Sequence, residues 1–124
     1  MKAILAQVRL SGKTVTKKVS TIDAPEKEGD NLDFYYNHLN CHTIDVVYTD
    51  EGDFFVDDNG LLTSDNPVFD YGNGVVIAGN ILVTKGVDSE GRTLFFDPSV
   101  DADFDKMMAI IDKLEKAELK GVTR

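Results

Sequence analysis

The chain has 124 residues, 42% of them hydrophobic and 9% aromatic, which is the composition of a globular domain and not of a disordered chain. This length suits one domain, residues 1–124. The net charge is −9 and there is a single cysteine, which excludes an internal disulfide framework; the apolar runs are also shorter than the roughly 18 residues of a membrane-spanning helix.

Acidic residues dominate the middle of the chain. Phosphate contacts require Lys and Arg, so a segment without them predicts no direct binding of nucleic acid. The carboxylates are compatible with a basic partner, a cation, or solubility alone. No Lys or Arg lies between Lys27 and Lys85, where eleven acidic residues occur: Glu28, Asp30, Asp33, Asp45, Asp50, Glu51, Asp53, Asp57, Asp58, Asp65 and Asp70.

The N-terminal residues predict a β-hairpin followed by a short helix. Residues 1–10 predict one strand, and residues 14–20 predict a second by their alternation of apolar and polar side chains, with a turn at residues 11–13 between them. A polar connection with proline and glycine follows, up to Asp30. A helix over about 31–39 is predicted by the spacing of Leu32, Tyr35, Tyr36 and Leu39.

Residues 41–62 predict a second hairpin whose turns carry carboxylates. Ile44, Val46 and Tyr48 alternate with polar residues except at residue 47, which is valine, and Phe54 begins the returning strand. The loop between them is Asp50-Glu51-Gly52-Asp53, and a second turn is predicted at residues 57–60, which end in Asn-Gly.

The remaining elements complete an α+β pattern. Residues 75–84 are nearly continuously apolar and predict one strand buried on both faces, and residues 92–96 predict a last strand. A long amphipathic helix over about 102–119 is predicted by apolar residues at three- and four-residue steps. We therefore expect a mostly antiparallel sheet of five to six strands with one short and one long helix. The periodic apolar residues of the long helix are Phe104, Met107, Met108, Ile111, Leu114 and Ala117.

Residues 39–86 contain several turn and strand motifs of one protein family. They are Leu39-Asn40-Cys41-His42-Thr43-Ile44-Asp45-Val46-Val47, Asp57-Asp58-Asn59-Gly60-Leu61-Leu62, Asn66-Pro67 and Ile77-Ala78-Gly79-Asn80-Ile81-Leu82-Val83. The sequence resembles small uncharacterised domains common in phages, prophages and other mobile elements, although Cys41-His42 stands where that family usually has paired glycine. The resemblance implies an accessory protein of a mobile element that acts on a host system. The single cysteine and the early polar residues at the N-terminus predict a cytoplasmic location, which in this setting is the cytoplasm of a bacterium.

The residues predict neither a metal site nor a catalytic one. Zinc requires three or four ligands, and His38, Cys41 and His42 have no second cysteine to join them. The acids near Gly52 and Gly60 do not have the spacing of a calcium-binding loop. We expect no metal, no cofactor and no enzymatic activity.

The carboxylates of the second hairpin are the predicted contact surface. We expect a non-enzymatic protein that binds a basic host protein, such as a nucleic-acid-handling or defence factor, with carboxylates taking the place of phosphates. Open sheet edges are also expected to permit homo-oligomers. The predicted contact residues are Asp50, Glu51, Asp53, Asp57 and Asp58.

Two alternatives stay open at this point. An oligomer that sequesters a small nucleotide signal would need basic side chains, and Lys13 could contribute to such a pocket together with the candidates Lys17, Lys18, Lys85 and Arg92. Alternatively, the acidic surface serves only solubility and the function lies elsewhere.

Overall fold

A computed structural model describes residues 1–11, 14–25, 32–58, 68–72 and 75–120. Within these ranges the chain forms ten strands and two helices. They are β1 (Lys2–Ser11), β2 (Thr14–Asp23), α1 (Leu32–Leu39), β3 (Ile44–Tyr48), β4 (Asp53–Asp57), β5 (Val68–Gly72), β6 (Val75–Ala78), β7 (Ile81–Thr84), β8 (Gly86–Val87), β9 (Thr93–Leu94), α2 (Asp101–Lys116) and β10 (Glu118–Lys120).

Five strands form the main sheet, in the order β2-β1-β7-β4-β3, and every neighbouring pair is antiparallel. Both predicted hairpins are confirmed, since β1 pairs with β2 and β3 pairs with β4. The expected turn at Asn59-Gly60 lies outside the described residues, as do Gly12 and Lys13 of the first hairpin. The α+β class and the two helices are confirmed as well.

The centre of the main sheet, formed by β1, β7 and β4, has buried side chains on both faces, because successive side chains of a strand point to opposite sides. In β4, Phe54 belongs to one core and Phe55 to the other. The first core lies beneath α2 and a smaller sheet of β10, β5 and β6, whereas the second lies beneath α1. Residues of β1 and β7 are divided between the two cores in the same way.

The apolar segment 75–84 is two strands and not one. β6 pairs with β5 in the smaller sheet, whereas β7 lies between β1 and β4 in the main sheet. Gly79 has a φ of 80°, a left-handed conformation that glycine adopts readily. The chain therefore passes from one sheet to the other at Gly79 and Asn80.

The long helix ends earlier than its periodicity predicts. α2 stops at Lys116, Ala117 is extended with a ψ of 134°, and β10 then pairs with β5. Leu119 packs against the first core from this strand. The expected residues Met107, Leu114 and Ala117 are buried. The buried face nevertheless extends to Ile110 instead of to Phe104 and Met108, which are about half-exposed.

In the described part of the chain, neither helix is long and apolar enough to cross a membrane.

Candidate functional site

The turn between β3 and β4 is a compact loop organised by Thr49. The Thr49 amide and hydroxyl both donate to the Gly52 carbonyl, at 3.0 and 2.8 Å. The Thr49 Oγ1 also accepts hydrogen bonds from the amides of Glu51 and Gly52, each at 3.2 Å. At position 52 a Cβ atom would lie 2.5 Å from the Thr84 carbonyl oxygen, so the close approach to β7 requires glycine.

Glu51 joins this turn to α2 and to β5. The Lys113 Nζ atom donates to the Glu51 Oε1 atom at 2.8 Å, and the Tyr71 hydroxyl donates to Oε2 at 3.1 Å. Lys113 also lies over the Tyr71 ring, 4.4 Å from its centroid. The hydrogen bond from Lys113 holds the pKa of Glu51 below its usual value, while burial raises that of Tyr71. Glu51 is thus neutralised within the protein.

Asp53 is buried at the start of β4, with 7% of its surface exposed. It lies opposite Thr84 in the antiparallel register, and the fully buried Thr84 hydroxyl has no hydrogen-bond partner in the described structure. Burial raises the pKa of the Asp53 carboxyl, an effect that the Lys106 charge partly opposes. Asp53 therefore cannot contribute to an exposed contact surface.

Asp57 and Asp58 lie at the other end of β4, roughly 13 Å from Asp53 at the usual rise of a strand. There Asp58 and Asp45 form the acidic rim of a small cleft of about 90 Å³, which Asp57 also lines. The Asp57 side chain lies on the opposite face of β4 from Val56, where, in addition to burial, its charge raises the pKa of Cys41. Asp45 and Asp58 are exposed and Asp57 is half-buried. The rest of the lining is apolar and consists of Val47, Val56 and residues 76–78. We call this feature the acidic cleft.

The five predicted contact residues therefore do not form one exposed surface. Glu51 is held by Lys113, Asp53 is buried and Asp57 is half-buried, which leaves Asp50 exposed at one end of the hairpin and Asp58 at the other. Asp45 was missed as a site residue. It pairs with Val56 across the hairpin, next to Asp57, and this register was the signal that could have placed it at the cleft.

The four basic residues predicted as a ligand pocket also lie in separate parts of the structure. Lys85 forms an ion pair with Asp103 at 2.9 Å, and Arg92 pairs with Asp88 and Glu90 in the turn that precedes it. Lys17 and Lys18 lie opposite residues 8 and 7 of β1, beyond the Ile81 end of β7, whereas Lys85 follows the opposite end at Thr84. One pocket cannot collect all four side chains.

The sequence of the chain matches the model of one protein family. The model of a family described as Domain of unknown function (DUF3846) matches residues 8–108, more than four-fifths of the chain. The chain belongs to the DUF3846 family. The DUF3846 match extends beyond the resemblance seen at residues 39–86 and includes the acidic cleft, Lys17 and Lys18. No curated protein and no solved structure gives a significant match to the chain.

The two histidines and the cysteine of this DUF3846 chain have different environments. The buried Cys41 thiol has a pKa raised by burial, whereas His42 is exposed. His38 Nδ1 is 2.9 Å from the Phe34 carbonyl oxygen, one turn back in α1. Over the residues that the structure describes, no three His, Cys, Asp or Glu side chains are grouped in a way that could hold a metal ion.

Proposed function

We propose that this DUF3846 domain is a non-enzymatic binding protein that takes a lysine or arginine side chain of a partner protein into the acidic cleft. The observation that carries the proposal is the composition of the cleft, with carboxylates at its rim and valine, isoleucine and alanine in its lining. Lys and Arg have an aliphatic stem and a charged head, so an apolar lining beneath carboxylates is complementary to both parts.

The surrounding sequence supports a basic partner. No Lys or Arg lies between positions 27 and 85, which include every residue that lines the cleft. A region of one sign of charge accelerates association with an oppositely charged protein, and salt weakens this effect. Exposed carboxylates such as Asp45 and Asp58 lack the apolar enclosure that a general acid requires, which favours binding over catalysis.

The biological setting of the proposal comes from the resemblance to domains of mobile elements. In this setting the domain is an accessory or inhibitory protein in the bacterial cytoplasm, and its partner is a basic host protein that handles nucleic acid or acts in defence. The carboxylates would then occupy a surface that otherwise receives phosphates.

The test compares two variants that remove the same charge. Asp45→Asn with Asp58→Asn alters the exposed rim, and Asp101→Asn with Asp105→Asn alters exposed residues of α2. Each protein is immobilised and exposed to a bacterial lysate at low and high salt, and bound proteins and small molecules are identified by mass spectrometry. We expect basic proteins that bind the parent chain and the α2 variant, release at high salt and fail to bind the rim variant.

Equal retention by both variants would contradict a role for the cleft and would favour solubility as the use of the acidic residues. A bound nucleotide in place of a protein would favour the sequestering alternative, for which Lys17 and Lys18 are still candidates.

Self-association also stays a prediction. Among the described strands, β2 and β3 are the two edges of the main sheet, and sheet edges present backbone groups to which a further strand can pair. Light scattering coupled to size-exclusion chromatography measures the mass directly; a mass equal to that of one chain at all concentrations would exclude stable oligomers.

A further inference from the structure

In the described part of the chain, some of the Lys and Arg side chains of this acidic protein form ion pairs with its carboxylates, and others do not. The structure describes nine Lys and Arg side chains, and five of them form ion pairs with carboxylates: Lys2, Lys85, Arg92, Lys113 and Lys116. Three of the four others line a single groove of about 390 Å³, formed by residues 7–9, residues 16–18 and Asn80. We call it the basic groove; its cations are Arg9, Lys17 and Lys18.

The groove exists because β1 continues beyond its neighbour in the sheet. Pairing of β1 with β7 ends at Ala6 and Ile81. Beyond this point the Val8 amide of β1 has, among the described strands, no partner on the β7 side and donates instead to Asn80 Oδ1 at 2.8 Å. With its oxygen engaged in this way, Asn80 retains its NH₂ group as a donor beside the groove.

The hairpin register brings two of the cations together. Gln7 lies opposite Lys18 and Arg9 lies opposite Thr16, so these four side chains share one face of the hairpin. Arg9 and Lys18 are therefore diagonal neighbours, with a separation of roughly 7–8 Å in such pairs. An anion placed between them could accept hydrogen bonds from both.

Lys17 fixes the adjoining helix end. Its Nζ atom donates to the carbonyls of Leu114 and Ala117, at 2.9 and 2.6 Å. Among the described residues, the groove lining contains no carboxylate, although the chain has 22 acidic residues. The lining thus combines positive charge with uncharged polar groups.

We propose that the basic groove binds the phosphate group of a small phosphorylated molecule of nucleotide size. Arg9 and Lys18 supply charge-assisted hydrogen bonds and Asn80 adds an amide donor, which is the chemistry that phosphate requires. The volume lies within the range of roughly 300–1,000 Å³ that is usual for small-molecule sites. This proposal uses other residues than the acidic cleft and does not depend on the function proposed for it.

Isothermal titration calorimetry with ADP and with inorganic pyrophosphate tests the proposal. The Arg9→Gln, Lys18→Gln variant is compared with a control of equal charge, Lys106→Gln with Lys116→Gln. We expect binding that weakens with salt and falls at least about tenfold in the groove variant but not in the control. Tighter binding of ADP would show that the nucleoside is also contacted, whereas equal affinities would show recognition of phosphate alone.

A second variant separates the site from general charge attraction. Asn80→Asp keeps an oxygen for the Val8 amide and replaces the NH₂ donor with a carboxylate, so we expect a folded protein that does not bind either probe. In the parent protein, NMR signals of the Val8 amide and the Asn80 side chain should move with ligand.

Absence of binding, equal losses in the groove variant and the control, or unchanged binding by Asn80→Asp would each overturn the proposal. Displacement of ADP by a single-stranded oligonucleotide that binds more tightly would also overturn it, in favour of a nucleic-acid site.

Discussion

Lys113 and Glu51 are separated by 62 positions in sequence and form an ion pair with an N–O distance of 2.8 Å. The pair connects α2 to the turn between β3 and β4, and the Tyr71 hydroxyl from β5 completes the coordination of the carboxylate. This relationship fixes the position of the acidic hairpin against the first core. It also removes Glu51 from the set of carboxylates that a partner could contact.

Replacing Glu51 with Gln should reduce stability modestly. Both side chains of the ion pair are over one-third exposed, so solvent screening limits the expected loss to about 0.5–1 kcal/mol at neutral pH. Urea denaturation measures this loss, with Asp112→Asn as the control because its exposed pair with Lys116 is expected to contribute less.

The same variant should have a weaker dependence of stability on pH. The pKa of Glu51 is lowered in the folded protein, so its contribution is present above its ordinary value of 4.5 and is lost as the pH falls through the folded value. Glu51→Gln and the parent should therefore converge in strongly acidic solution. A constant difference in the free energy of unfolding at every pH would contradict this assignment.

Replacing Asp53 with Asn should stabilise the protein at neutral pH. Burial raises the pKa of Asp53 above its ordinary value of 3.8, so the unfolded chain releases this proton more readily than the folded one. Ionisation of Asp53 therefore begins to lower the free energy of unfolding as the pH rises above 3.8. The full loss of stability is reached above the pKa of the folded protein. Asparagine has no such proton, and we expect a gain of a few degrees in Tm at pH 7 that disappears below pH 3.8.

This variant also tests where the acidic surface lies. Since Asp53 is buried, Asp53→Asn should leave any partner binding unchanged, whereas the rim variant should reduce it. A loss of binding in Asp53→Asn without a change of fold would contradict the placement of Asp53 inside the protein.

The fold was largely predictable because it depends on local periodicity. Alternation identified both hairpins, and the spacing of Tyr35 and Leu39 identified α1. The segment 75–84 was misread because an apolar run does not reveal that Gly79 moves the chain to another sheet. The last residues of the predicted long helix were misread because extended Leu119 also reaches the first core.

The arrangement of charges was less predictable, because it depends on contacts between distant residues. Asp53 follows a polar turn and has the sequence context of an exposed residue, but its register places it opposite the buried Thr84. In the same way, no local spacing relates Glu51 to Lys113 or Lys85 to Asp103. Composition predicted an acidic surface, and only the three-dimensional structure shows which carboxylates are exposed.

Replacing Gly52 with Ala should destabilise the main sheet. The added methyl group would lie 2.5 Å from a backbone oxygen of Thr84, and the oxygen cannot move without disturbing the pairing of β4 with β7. Overpacking of this kind typically costs about 1–3 kcal/mol. Urea denaturation measures the cost, and Asp50→Ala, at an exposed position of the same turn, is the control. Equal stability of Gly52→Ala and the parent would show that the two strands are not so close.

Replacing Lys17 with Met should loosen the end of α2. The Lys17 ammonium satisfies the carbonyls of Leu114 and Ala117, and methionine retains an apolar chain of similar length without the donor. Loss of these charge-assisted hydrogen bonds is expected to cost about 1.5–3 kcal/mol, since both carbonyls lose their partner. Hydrogen exchange should then accelerate in the last turn of α2 and in β10, whose pairing with β5 depends on the path of the chain after Ala117. Lys18→Met is the matched control, because Lys18 is exposed and forms no hydrogen bond with the described residues. If exchange in β10 accelerates equally in both variants, Lys17 does not hold the helix end.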